Sequence, residues 1–203
     1  PRLDYSGSCP ALLLEPQRRN SLENSEYFES SYWTKTRITP SLSSSLSPEG
    51  VANSYKMTPT TTNGTHFFYD VTSVTSGQDQ TFSIYAKADG YDFFDIRFNA
   101  NSSVFGDDEV VFNLNNGSIE SQDSDISNAT IDSVGNGWYR VSATREALAS
   151  AAGVILIRIY SNATTSYFAG DGTSGVLFYG AQWEQDSSYP TSYIPTYGSS
   201  VTR

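Results

Sequence analysis

From residue 66 onward the chain is dominated by short runs in which apolar and polar positions alternate. They cover 66–74, 81–89, 93–100, 109–114, 118–122, 138–146, 153–160 and 175–184. Side chains of an extended segment switch faces at every residue, so each run divides into a core face and an outer face. In 81–89, Phe82, Ile84, Ala86 and Ala88 oppose Thr81, Ser83, Tyr85, Lys87 and Asp89. In 93–100, Phe94, Ile96 and Phe98 oppose Phe93, Asp95, Arg97 and Asn99. In 153–160, Ile155, Ile157 and Ile159 oppose Val154, Leu156, Arg158 and Tyr160. The same period puts Leu177, Tyr179, Ala181 and Trp183 on one face, which reads as core.

Polar turns separate these runs. Asn116-Gly117, between 109–114 and 118–122, supplies the positive φ angles of a tight hairpin. Residues 40–65, rich in Pro, Ser, Thr and Gly, read as loops around a weak strand over 51–57. No long helical pattern is present, and the one alanine-rich stretch, 145–152, is short. Many short strands joined by polar turns predict an all-β fold, an antiparallel β-sandwich of the jelly-roll type. Both ends look different. Residues 1–25 read as an extended N-terminal arm, with Leu12, Leu13 and Leu14 as its apolar cluster before Pro16. Residues 26–203 form the sandwich domain, opened by the aromatic group Tyr27, Phe28, Tyr32 and Trp33.

Composition narrows the function. The 14 Tyr and 11 Phe favour strands. A net charge of −10 argues against nucleic acid and against anionic membrane surfaces as partners. No apolar run approaches the ~18 residues of a membrane helix, so no membrane insertion is expected. A first residue of Pro rather than Met is expected of a processed or excised piece. Cys9 is the sole cysteine and His66 the sole histidine, which argues against a disulfide, a zinc site and a nucleophile triad. His66 lies in a strand-like run and reads as structural. Asp107-Asp108-Glu109 and Asp123 to Asp125 offer oxygens to calcium, but neither has EF-hand spacing; solvated loop charge is the reading adopted, and no cofactor is expected. No carboxylate pair and no glycine-rich phosphate loop marks a catalytic centre, so the chain reads as non-catalytic.

The outer face carries the remaining chemistry. Sugars present apolar C–H patches edged by hydroxyls and bind where aromatic platforms meet planar hydrogen-bonding groups. Tyr85, Lys87, Asp95, Arg97, Asn99, Arg158 and Tyr160 are the right types, and they are the candidate carbohydrate-binding residues. The plainer reading is a polar sheet face with cross-strand ion pairs such as Asp95 with Lys87.

The two ends add a resemblance. Pro1-Arg2-Leu3-Asp4-Tyr5, with the stretch from Cys9 through Glu15-Pro16-Gln17-Arg18-Arg19-Asn20, resembles a segment of bacteriophage tail-fibre and other virion proteins. There it precedes a jelly-roll domain similar to carbohydrate-binding modules of the family 4/9 type. The likeness continues through Ser25-Glu26 to Trp33, at 81–87, at Asn136-Gly137-Trp138-Tyr139-Arg140 and at Gly180-Ala181-Gln182-Trp183-Glu184. It closes with Pro190-Thr191-Ser192-Tyr193-Ile194-Pro195-Thr196 and Val201-Thr202-Arg203. Arg19 and Trp183 depart from the pattern, and 40–65 and 99–135 lie outside it. The resemblance implies a structural protein of the virion surface, in a head or tail fibre or decoration. It implies other virion proteins and host-surface glycans as partners, and a homo-oligomer, often a trimer, with Leu12, Leu13 and Leu14 contacting a neighbour. The alternative is an extracellular carbohydrate-binding module of a marine polysaccharide-degrading enzyme.

Overall fold

The computed structural model describes residues 2–4 and 11–13 by their backbone, and 15–99 and 103–203 in full. Its strands are β1 (Arg2–Asp4), β2 (Ala11–Leu13), β3 (Arg19–Asn20), β4 (Thr34–Thr36), β5 (Ile38–Leu42), β6 (Tyr55–Pro59), β7 (Gly64–Val74), β8 (Asp79–Asp89) and β9 (Phe93–Phe98). They continue as β10 (Asp108–Asn113), β11 (Ser118–Gln122), β12 (Ser127–Gly135), β13 (Trp138–Glu146), β14 (Ala151–Tyr160), β15 (Tyr167–Phe168), β16 (Gly175–Gln185) and β17 (Val201–Thr202). No helix occurs among the described residues. The first sheet runs β11-β10-β9-β14-β7-β15, with β4 also on β7; the second runs β12-β13-β8-β16-β6-β5. The chain crosses between the sheets from β7 to β8, β8 to β9, β11 to β12, β13 to β14 and β15 to β16, and the named pairings are antiparallel. The fold is the antiparallel β-sandwich, with jelly-roll character, that the alternation predicts.

The alternating apolar residues meet between the layers. Phe94, Ile96, Phe98, Ile155, Ile157, Ile159 and Phe68 from the first sheet face Phe82, Ile84, Ala86, Val141, Phe178 and Trp183 from the second, all buried. Phe178 sets its ring edge-on to Phe68 and to Phe94 at 5.4 and 5.2 Å, tying the two sheets together. The three tryptophans pack rather than protrude. Trp33, Trp138 and Trp183 are buried, each with its indole N–H donated, to the Asn24 carbonyl, the Leu46 carbonyl and the Gln80 amide oxygen Oε1 respectively. His66 is buried in β7, its ring nitrogens 2.7 and 2.9 Å from the carbonyl oxygens of Arg37 and Phe168.

Four local expectations change. Strand β6 starts at Tyr55 rather than near 51, and β5 pairs with it across a stretch read as loop. Strand β12 was not legible, because it is a sheet edge whose exposed Ser, Asn and Asp positions leave Ile131 nearly alone as an apolar marker. The turn between β10 and β11 spans 114–117, and only Gly117 there has positive φ (71°). Asn116 instead accepts the Ser118 N–H on its side chain, a wider turn than a two-residue hairpin. Finally, the expected core face of β16 breaks in the middle. A bulge between Tyr179 and Gln182, with Gly180 at φ +61°, shifts the register by one residue. Leu177 and Tyr179 therefore pack on the outer face with Trp138, whereas Ala181 and Trp183 enter the main core.

The chain ends meet each other. Strand β17 pairs with β3, and the segment between β16 and β17 runs back across the outer face of the second sheet. Asn20, fully buried, donates to the Ala181 and Ile194 carbonyls and accepts from the Leu22 and Trp183 N–H groups. Glu184 accepts the N–H and hydroxyl of Thr191, and Glu15 accepts the N–H and hydroxyl of Ser192 while pairing with Arg203. Strands β1 and β2 pair with one another. Cys9 and the side chains of Leu12, Leu13 and Leu14 lie outside the described residues.

Candidate functional site

The candidate residues divide between two faces that point away from each other. Asp95 and Arg97 on β9 and Arg158 and Tyr160 on β14 share the outer face of the first sheet, in register Asp95 with Arg158 and Phe93 with Tyr160. Tyr85 and Lys87 lie on β8, on the outer face of the second sheet. Asn99 sits just past the end of β9, its N–H donated to the Val154 carbonyl. The ion pair expected between Asp95 and Lys87 does not form, because the two strands belong to different sheets; Asp95 pairs with Arg158.

On the first sheet the charges are spent on one another. Asp95 Oδ1 accepts the Arg158 backbone N–H, and its Oδ2 accepts the Arg158 guanidinium and the Tyr160 hydroxyl. Glu109, on the neighbouring strand β10, also pairs with Arg158 and with Arg97, and Asp107 forks onto Arg97. Three carboxylates thus face two guanidinium groups. One negative charge is unmatched, and Asp95 is the member with no exposed surface. Burial pushes its carboxyl up to about 7, against the pull of Arg158 and with the push of Glu109. The acidic loops once weighed for calcium are committed in the same way: Asp107 to Arg97, and Asp108 and Asp125 to Arg145. This face is a closed ionic network, with few donors or acceptors left for a ligand.

The second sheet offers the opposite. Tyr85, Arg140 on β13 and Tyr179 on β16 are direct cross-strand neighbours. With Pro48, Glu49, Ser192 and Tyr193 they line a recess of about 230 Å³. Tyr193 stands edge-on to Tyr85 and to Tyr179, with ring centroids 6.1 and 5.6 Å away. The Arg140 guanidinium lies 5.5 Å from the Tyr85 ring centroid and is anchored through one nitrogen to Ser83 Oγ and the Thr191 carbonyl. Its Nε is buried with no partner. Below the recess, Glu26 Oε1 accepts the hydroxyls of Tyr179, Tyr193 and Tyr197. Burial first, then Glu49 and Glu26, raises the Tyr179 hydroxyl well above its ordinary range; burial and Glu26 do the same for Tyr193, against the Ser25 hydrogen bond. Both phenols stay protonated, with their hydroxyl protons donated to Glu26.

Of the sequence candidates, only Tyr85 lines this recess; Lys87 is two residues away on the same face. Arg140, Tyr179, Tyr193 and Glu49 were missed. Tyr179 was hidden by the bulge, and Tyr193 belongs to a tail whose docking no local pattern records. Arg140 was legible as part of the Trp138-Tyr139-Arg140 motif, but not as a partner of Tyr85.

No family model and no curated protein matches the sequence. Among solved structures, the chain is similar to the enzymatically active domain of tailspike protein 4 of bacteriophage CBA120, with a TM-score of 0.48, 14% identity and 82% of this chain covered. It is also similar to the CBM22-1–GH10 modules of the N-terminal endo-1,4-β-D-xylanase 10B of Clostridium thermocellum, complexed with xylohexaose, with a TM-score of 0.40, 12% identity and 87% of this chain covered. The chain spans 21% of the tailspike chain and 29% of the xylanase chain.

Proposed function

We propose that this chain is a non-catalytic recognition domain of a virion surface, in a head or tail fibre or decoration, that holds host-surface glycan in the recess of the second sheet. The observation that carries the glycan part is the cross-strand row Arg140, Tyr85, Tyr179, with Tyr193 set edge-on above it. A tyrosine face suits the C–H side of a pyranose, and the free edge of Arg140, Ser192 and Glu49 suit its hydroxyls. The virion part is supported by the resemblance of the two chain ends, whose residues converge in a single clasp of β3, β17 and the tail between.

A glycan array tests the site. Wild type is expected to be retained on at least one polysaccharide, and Tyr85→Ala and Arg140→Ala are each expected to weaken retention about tenfold, the loss of one stacking or charged contact. Absence of any glycan signal from the folded wild type contradicts the reading. Light scattering tests the context: the virion reading expects a homo-oligomer, a trimer first, and a monomer at micromolar concentration favours the carbohydrate-binding module of a marine enzyme instead.

A further inference from the structure

A second hollow lies on the other side of Glu26, and its chemistry differs from that of the glycan recess. It measures about 300 Å³ and is lined by Glu26, Tyr27, Leu42, Asn53, Tyr55 and Tyr197, with Ala52 at its edge. Two of its oxygens have acceptor capacity to spare. Glu26 Oε1 already takes three phenol hydroxyls, while Oε2 takes only the Asn53 amide N–H at 3.4 Å. Asn53 Oδ1 is buried without a partner. No ion pair among the described residues involves Glu26, although the residue is buried, at 8% exposure. A buried carboxylate without a cation is costly unless something supplies one. The walls are aromatic: Tyr27 and Tyr55 stand 6.1 Å apart at 54°, and Tyr197, 73% exposed, is tethered to Glu26 through its hydroxyl.

The geometry points to a binding site for an organic ammonium, seated between the tyrosine rings with Glu26 Oε2 and Asn53 Oδ1 facing its positive charge. Ring quadrupoles attract such a cation within about 6 Å of a centroid, and a carboxylate behind the rings supplies the long-range attraction. A metal ion fits less well, because the hollow offers one carboxylate and one amide oxygen where a hard cation takes six or more oxygens. The amine of an amino sugar and a quaternary methylammonium share this chemistry. The assignment is independent of the glycan reading of the neighbouring recess.

Calorimetry on the full chain at neutral pH separates the sources. One arm titrates choline against 3,3-dimethyl-1-butanol, its uncharged isostere; the other titrates glucosamine oligomers against their N-acetylated forms. Saturable binding of at least one cationic ligand is expected, with its neutral counterpart weaker by about tenfold or more. Tyr197→Ala, which removes a ring the core does not use, is expected to weaken the cation about 5- to 20-fold. Glu26→Gln, checked for folding by near-UV circular dichroism, is expected to remove the preference for the charged ligand. Equal binding of charged and neutral ligands, an unchanged affinity in Tyr197→Ala, or no saturation up to about 50 mM of either cation overturns the assignment.

Discussion

Asp95 shows how one residue type at an outer-face position acquires unusual chemistry. Alternation assigned it to the polar side of β9, and it does face away from the core. Yet Arg158, Tyr160 and Glu109 close over it, so it is as buried as Phe94 and Ile96 beside it. Its carboxyl titrates near 3.8 when unfolded and at about 7 in the fold. Between these values the folded state binds the extra proton, so the contribution of Asp95 to stability is greatest below pH 4, falls as pH rises toward 7 and levels off above it. Each unit of separation corresponds to about 1.4 kcal/mol. Urea denaturation midpoints of wild type and Asp95→Asn, taken from pH 4.5 to 8, check this. Wild type is expected to lose stability relative to the variant as pH rises. Parallel curves contradict it.

At the scale of the element, the outcome turned on where period-two alternation holds. It holds along β8, β9 and β14, where Phe82, Ile96 and Ile157 went where the pattern placed them. It fails in β16, because a bulge is a backbone event and Gly180 alone does not announce one. That one-residue slip creates the recess by turning Tyr179 outward to meet Tyr85. A Cβ at Gly180 would lie 3.0 Å from Tyr85 Cδ2 and 3.2 Å from Tyr193 Cζ, on a backbone with positive φ. Gly77, φ +79°, has open space around it and isolates the backbone cost. Gly77→Ala is expected to lose about 1 kcal/mol by denaturant titration. Gly180→Ala is expected to lose more and also to weaken glycan retention. Equal losses with full retention show that the bulge does not shape the site. The candidate site was therefore only partly legible: Tyr85 came from alternation, whereas Arg140, Tyr179 and Tyr193 required register, bulge and tail docking.

For the whole molecule, the terminal motifs turn out to be one unit. Asn20, Ser25, Glu26, Trp183, Glu184, Thr191, Tyr193 and Thr196 come from opposite ends of the sequence and interlock through buried hydrogen bonds. Losing one of these polar side chains leaves its buried partners unpaired. The clasp also supplies Tyr193 and Ser192 to one hollow and Tyr197 to the other. Closing the chain and building the proposed binding face are the same structural act. The face across the sandwich, despite its charge, is saturated with internal ion pairs. Backbone amide chemical-shift mapping with the strongest array glycan distinguishes the two faces most directly. The largest shifts are expected at Tyr85, Arg140, Tyr179 and Tyr193 on the second sheet; shifts centred instead on Arg97, Glu109, Arg158 and Tyr160 contradict the account.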